Sequence, residues 1–173
     1  SVSQVGSSSF AIDFVAHGKS GPASTWQKNL SVADEFEFKG PGPASKINLD
    51  SDNFYFYADY TALPALHAHL SAIEQSKNIH IFFEGRKEVL EKYLEAFNYN
   101  LISERDDFLK LLKKCVTRES AVWAAGERLE ILKIREVIKN DKVHYNSYYV
   151  SSYWQLGEVD EKHRALTKLD RLI

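Results

Sequence analysis

The chain contains no methionine and a single cysteine, Cys115. One thiol excludes an intramolecular disulfide and points to a reducing compartment, the cytoplasm. With the histidines scattered, it also argues against a structural zinc site. No apolar run approaches the roughly 18 residues a membrane helix needs, so no membrane insertion is expected. The opening stretch SVSQVGSSSF has neither the basic nor the apolar region of a signal peptide. A net charge of −2 leaves no electrostatic footprint for nucleic acid. With no methionine and Ser1 in first place, the chain is expected to begin internally or to join separated pieces. Spacings within one stretch therefore carry more weight than spacings along the whole chain. Glycine is scarce as well, 8 in 173 residues, yet two of them fall within HGKSG at residues 17–21.

What is present is enough for one ordinary domain or two small ones: 44% hydrophobic and 27% charged residues, a composition that buries a core. FAIDFVA (10–16) reads as a strand, and residues 22–30 as a short helix with Pro22 in its first turn. FEF (36–38) and KINL (46–49) read as short strands around the breaker-rich KGPGPAS. From residue 53 the texture changes. NFYFYA, IHIFFE, NLIS, AVWAAG and YNSYYVSSYW read as strands, the longer apolar ones buried on both faces. Between them TALPALHAHLSAIEQS, RKEVLEKYLEAF, DDFLKLLKKC and ERLEILKIREVI read as helices, the second presenting Val89, Leu90, Tyr93, Leu94 and Phe97 on one face. The tail after residue 155 reads as helical. Such alternation predicts a five-stranded parallel sheet flanked by helices, whereas the first 46 residues read as the end of an antiparallel barrel.

Ligands of open α/β sheets sit at the carboxyl ends of strands, where strand order reverses. Three strand ends stand out. YADYTALPAL runs directly into a helix with Asp59 or Thr61 as cap, either a plain connection or a seat for a pyrophosphate on free helix N–H groups, although the glycines of G-x-G-x-x-G are absent. AVWAAGERLE turns at Ala125, Gly126 and Glu127, where glycine permits close approach of the backbone. VSSYWQLG places Tyr153 and Trp154 where the chain leaves the sheet, as core or as a platform for a flat ligand. In HGKSGPAS, Gly18 and Gly21 leave room beside a helix start at which Ser24 can donate a hydroxyl to an anion; many helices begin this way without binding one. His67 and His69, two apart on a helix, make a poor metal pair and read as surface and boundary residues. Cys115 and the charges of residues 158–171 read as structural and solvated respectively.

Taken together, five segments resemble the siderophore-interacting proteins, flavin-dependent ferric-siderophore reductases related to ferredoxin reductases. DFVAHGKSGPASTW is similar to the family's D-F-V-x-H-G-x-x-G-P-A-S-x-W, FKGPGPA to its G-P-x-G loop, YADYTALPAL to G-D-E-T-A-L-P-A, AVWAAGE to W-x-A-G-E, and YYVSSYWQLGEVDE to V-S-G-Y-W-x-x-G. The resemblance spans residues 11–165. The sequence departs from the pattern at Ala58, Tyr60 and Ser152, which replace a glycine, an acid and a glycine, and the family's R-x-Y-T flavin segment is absent. Either the earlier barrel strands lie outside this chain, or the flavin site is incomplete.

The resemblance implies an α/β fold: the C-terminal part of an antiparallel FAD-binding β-barrel (1–46), then a ferredoxin-reductase-like NAD(P)-binding domain (47–173). It implies an oxidoreductase in which FAD takes a hydride from NADPH or NADH and passes single electrons to the ferric iron of a siderophore, releasing ferrous iron. By the same resemblance Asp13, Val15 and His17 line the flavin or its adenosine. Gly18, Gly21, Ala23 and Ser24 hold its pyrophosphate. Asp59, Thr61, Ala62, Ala125, Gly126 and Glu127 contact the nicotinamide cofactor, and Tyr153 and Trp154 lie near the flavin ring. Lys46, Lys162 and Arg164 supply, by composition, positive charge for an anionic siderophore. No catalytic acid or base and no metal ligand is assigned, and a monomer is expected. NADH and NADPH stay open, because Glu84 suits a ribose 2′-hydroxyl while Arg86 and Lys87 suit a 2′-phosphate. The competing readings are a nucleotide-binding module without a complete flavin site, and a structural or interaction domain.

Overall fold

A computed structural model describes residues 2–15, 22–37, 47–115, 117, 119–140 and 147–157. The elements are β1 (Val2–Val5), β2 (Phe10–Ile12), α1 (Pro22–Asn29), β3 (Asn53–Asp59), α2 (Leu63–Ala72), β4 (Asn78–Glu84), α3 (Lys87–Tyr93), β5 (Asn100–Ile102), α4 (Arg105–Cys115), β6 (Ser120–Glu127), α5 (Arg128–Asn140) and β7 (Ser147–Trp154). A single 3₁₀ turn, Tyr60–Ala62, joins β3 to α2.

β3 to β7 form one sheet in the order β5-β4-β3-β6-β7, and every pairing in it is parallel. Because both faces are covered, its strands cannot alternate apolar with polar; they must be apolar throughout. Residues 54–59 of β3 and 120–126 of β6 are accordingly buried without a break. Odd and even positions face different helices. Phe54, Phe56 and Ala58 pack with Trp123, with Leu66 and Leu70 of α2 and with Leu90 of α3. Tyr55 and Tyr57 pack with Phe108 and Leu112 of α4 and with Ile131 and Ile134 of α5. This is a doubly wound α/β layer structure, and its strand order reverses between β3 and β6, which leaves a crevice at their carboxyl ends.

β1 and β2 pair antiparallel, Val2 opposite Ile12 and Val5 opposite Phe10. Here the structure corrects the sequence reading. The strand expected over residues 10–16 stops at Ile12, and its partner, Val2–Val5, is one the reading did not find. Residues 36–37 and 47–49 carry no strand, and the other residues of those two expected strands, Phe38 and Lys46, lie outside the described residues. α3 ends at Tyr93 instead of continuing to Phe97, yet Leu94 and Phe97 still pack on the same core from the following turn. The expected helical tail lies outside the described residues.

Candidate functional site at the strand-order reversal

At the end of β3, Asp59 is 5% exposed, so its carboxylate must be fully hydrogen-bonded to be tolerated. Its Oδ1 accepts from the Thr61 backbone N–H at 2.8 Å and from the Thr61 hydroxyl at 2.6 Å. This caps the 3₁₀ turn leading into α2, as an acid before a helix start should. Its Oδ2 accepts from the indole N–H of Trp154 at 2.7 Å, from the last residue of β7. The carboxylate therefore spans the crevice. Gly126 makes that possible: a Cβ there would stand 2.7 Å from Asp59 Oδ2 and 3.1 Å from Tyr57 Cε1.

Glu127 plays the matching part on β6. Its Oε2 accepts from the Leu129 N–H at 2.6 Å, capping α5, and its Oε1 accepts from the Leu156 N–H at 3.3 Å. Ala125 lies beside Ala58 in the β3–β6 register, and Glu127 beside Trp154 in the β6–β7 register. Asp59, Thr61, Ala62, Ala125, Gly126, Glu127 and Trp154 thus converge at one edge. Trp154 is 37% exposed, a boundary residue held by a directed hydrogen bond and not a core side chain. Tyr153 points the other way and packs on the α2–α3 core. Burial, then Tyr149 and Asp59, push its hydroxyl up to about 12.

Tyr60 takes up a structural task. Its hydroxyl accepts from the Arg86 backbone N–H at 2.7 Å and its ring meets Phe83 edge-on at 5.2 Å, tying the turn after β3 to the end of β4. Next to it, Glu84 at the end of β4 receives both carboxylate hydrogen bonds from Arg105 Nη2, at 3.1 and 3.2 Å. Arg105 Nε lies 2.9 Å from Glu130 Oε2. Behind this group the Tyr57 hydroxyl is buried without a hydrogen-bond partner among the described residues; burial and the nearby carboxylates raise its pKa. An open cavity of about 620 Å³ adjoins Glu84 and Arg105. Sequence reasoning missed Arg105, although its place between the end of β5 and the acids Asp106 and Asp107, as the first residue of a helix, is a legible signal.

Of the residues expected to hold a flavin, Asp13 and Val15 follow β2, while Ala23 and Ser24 lie in the first turn of α1. That turn contains no acid that would repel an anion. The Asp13 carboxylate accepts from the Ser3 hydroxyl at 2.9 Å and from the Tyr93 hydroxyl at 2.8 Å, so it links the antiparallel segment to α3. Burial, then this bond, pushes Tyr93 up to about 12. His17, Gly18, Gly21, Lys46, Lys162 and Arg164 lie outside the described residues. Among the described residues no cluster of three or more His, Cys, Asp or Glu could hold a metal, and no helix is long and apolar enough to cross a membrane.

The family description "Siderophore-interacting protein" matches residues 51–157, and "Siderophore-interacting FAD-binding domain" matches residues 2–45. A ferric acinetobactin reductase of Acinetobacter baumannii is 29% identical, the match covering 84% of this chain and 55% of that protein. A ferric vibriobactin reductase of Vibrio cholerae is 21% identical over 87% of this chain and 60% of that one. The chain thus spans somewhat over half the length of these relatives. A siderophore-interacting protein structure from Acinetobacter baumannii superposes with a TM-score of 0.73 at 24% identity, covering 92% of this chain and 70% of that one. One from Aeromonas hydrophila gives 0.71 at 24% identity, covering 94% and 68%. With a family match over most of its length and an α/β sheet of the same fold, the chain belongs to the siderophore-interacting protein family.

Proposed function

We propose that this chain works as an NAD(P)H-dependent, FAD-using oxidoreductase that reduces ferric siderophores and so frees ferrous iron in the cytoplasm. The observation that carries this reading is the crevice where strand order reverses, closed by Asp59, Thr61, Gly126 and Trp154. The FAD-binding family match over residues 2–45 and the two reductases named above support it. Residues 1–46 are the flavin-binding part and 47–173 the nucleotide-binding part, acting as a monomer.

Bound FAD supplies the exchange between two-electron and one-electron chemistry that joins a hydride donor to ferric iron. The residues present fit it in one respect: the acid-free first turn of α1, with Ser24, suits a pyrophosphate. Gly18 and Gly21 leave room for it, and Asp13, Val15, His17 and Ala23 complete that side. Asp13 also orients the segment by its bonds to Ser3 and Tyr93. In the crevice, Asp59 and Glu127 fix the starts of the two helices, so that half-buried Thr61 and Glu127 meet the nicotinamide cofactor while Ala62, Ala125 and Gly126 pack buried behind them. Trp154 shields that cofactor and the flavin from water, while Tyr153, on the opposite side of β7, anchors the strand to the core. Lys46, Lys162 and Arg164 attract the anionic siderophore. Reduction releases the iron because ferrous ion binds hard anionic oxygens far more weakly than ferric ion.

The test is anaerobic. The chain, with added FAD, NADH or NADPH and a ferric siderophore, should produce ferrous iron trapped by a coloured chelator. Ser24→Ala should weaken FAD binding by about 1.5–3 kcal/mol. A protein that binds NAD(P)H but neither retains FAD nor reduces iron would be a nucleotide-binding module, the second reading.

A further inference from the structure

Resting on the nicotinamide reading of the crevice, we infer that the end of β4 selects a dinucleotide with a free ribose 2′-hydroxyl, NADH, against its 2′-phosphorylated form. β4 lies directly beside β3. A dinucleotide laid across the carboxyl ends of β3 and β4 would pass its adenosine half over Glu84 and into the cavity beside it. In doubly wound sheets an acid at this strand end accepts from the ribose hydroxyls, whereas a free arginine there receives a 2′-phosphate.

Both cations in this cavity are ion-paired. Arg105 gives Nη2 to both oxygens of Glu84 and sets Nε against Glu130. Lys110 is bound to Asp107 at 2.9 Å. The lining carries four carboxylates, Glu84, Glu104, Asp106 and Asp107, against the two cations Arg105 and Lys110. A 2′-phosphate would bring further negative charge into that net negative wall. Glu84 is 40% exposed at its side chain and held in one place by Arg105, so its oxygens remain able to accept from a diol. The two cations that follow it in sequence face elsewhere. Lys87 pairs with Glu91 at 3.1 Å, and Arg86 lines a separate groove with Glu88, Lys92 and Tyr93 of α3.

The experiment is calorimetric titration of the full chain, without flavin, at low salt. The titrants are NADH, NADPH, 5′-ADP and 2′,5′-ADP. NADH should bind at least about tenfold more tightly than NADPH, and 5′-ADP more tightly than 2′,5′-ADP, a difference that shrinks as salt screens the wall. Glu84→Gln removes one charge and releases Arg105, so it should narrow the NADH/NADPH gap at least about fivefold; circular dichroism and unchanged thermal unfolding certify the fold. Glu104→Gln should narrow it less. NADPH binding as tight as NADH in the parent chain, or a gap unmoved by Glu84→Gln, overturns the selection while leaving the dinucleotide reading intact. Binding of none of the four would defeat the dinucleotide reading and the selection with it.

Discussion

The Trp154 indole N–H donates to Asp59 Oδ2 at 2.7 Å, joining the last residue of the edge strand to the last residue of the central one. The carboxylate it satisfies is buried. Trp154→Phe keeps an aromatic ring, though a smaller one, and removes the donor. It should cost about 1.5–3 kcal/mol in urea unfolding, the range for a hydrogen bond to a charged group. Trp154→Ala should in addition alter NAD(P)H oxidation or flavin retention. A loss of stability with normal kinetics in the folded fraction would restrict Trp154 to a structural role.

Gly126 is required by its neighbour. An added methyl would meet Asp59 Oδ2 at 2.7 Å, and overpacking of this kind costs about 1–3 kcal/mol. Gly126→Ala should therefore destabilise the parent chain and do so less in an Asp59→Ala background. A double-mutant cycle reads the coupling, expected at about 0.5–3 kcal/mol. Simple additivity would show that the two positions are independent.

His69 packs its ring against Trp123 at 5.1 Å and Phe56 at 6.3 Å. Burial lowers its pKa from 6.5 to about 4. The unfolded chain therefore binds a proton that the folded chain refuses between those values. Stability is unaffected above pH 6.5, falls as pH drops towards 4 and changes no further from this group below that, a loss of order 3 kcal/mol. His80, lowered by burial as well, adds in the same direction. His69→Gln should flatten the slope of unfolding free energy between pH 4 and 6.5; an unchanged slope would clear His69 of the effect.

Asp13→Asn should bring the Tyr93 phenol down from about 12, because it removes the charge that raises it and weakens the hydrogen bond, while burial, the largest cause, remains. Ultraviolet titration of phenolate formation measures this. A Tyr93 that titrates unchanged in the variant would mean that the bond between the antiparallel segment and α3 is absent in solution.

The parallel sheet is legible because NFYFYAD and SAVWAAGE are uninterrupted apolar runs, a pattern only strands covered on both faces require. VSQV has no such signature: it is four residues long with polar positions between its valines, and its pairing depends on β2 across a turn. The converging residues at the crevice were each readable as strand-end features, but their bonds were not. That Asp59 meets Trp154 depends on β7 lying next to β6 and β6 next to β3, and strand order leaves no local mark on the sequence. Arg105 stood at a legible helix start, but its partners Glu84 and Glu130 come from β4 and α5, so its role could not be read there. Tyr60 read as a mere departure from a motif, and only the backbone N–H of Arg86 shows its use.

The crevice is assembled from three stretches far apart along the chain: Asp59, Gly126 and Trp154. The central strand pairs its residue 53 with residue 120, so no local hairpin can template it, and β7 is synthesised after the strands it joins. A nascent chain emerging from the ribosome exposes the Asp59 carboxylate before its indole donor exists. Until Trp154 arrives the crevice has no closed form, and long-range closure of this kind is slow. Closure of the crevice thus waits on the docking of β7, which brings Trp154 to Asp59.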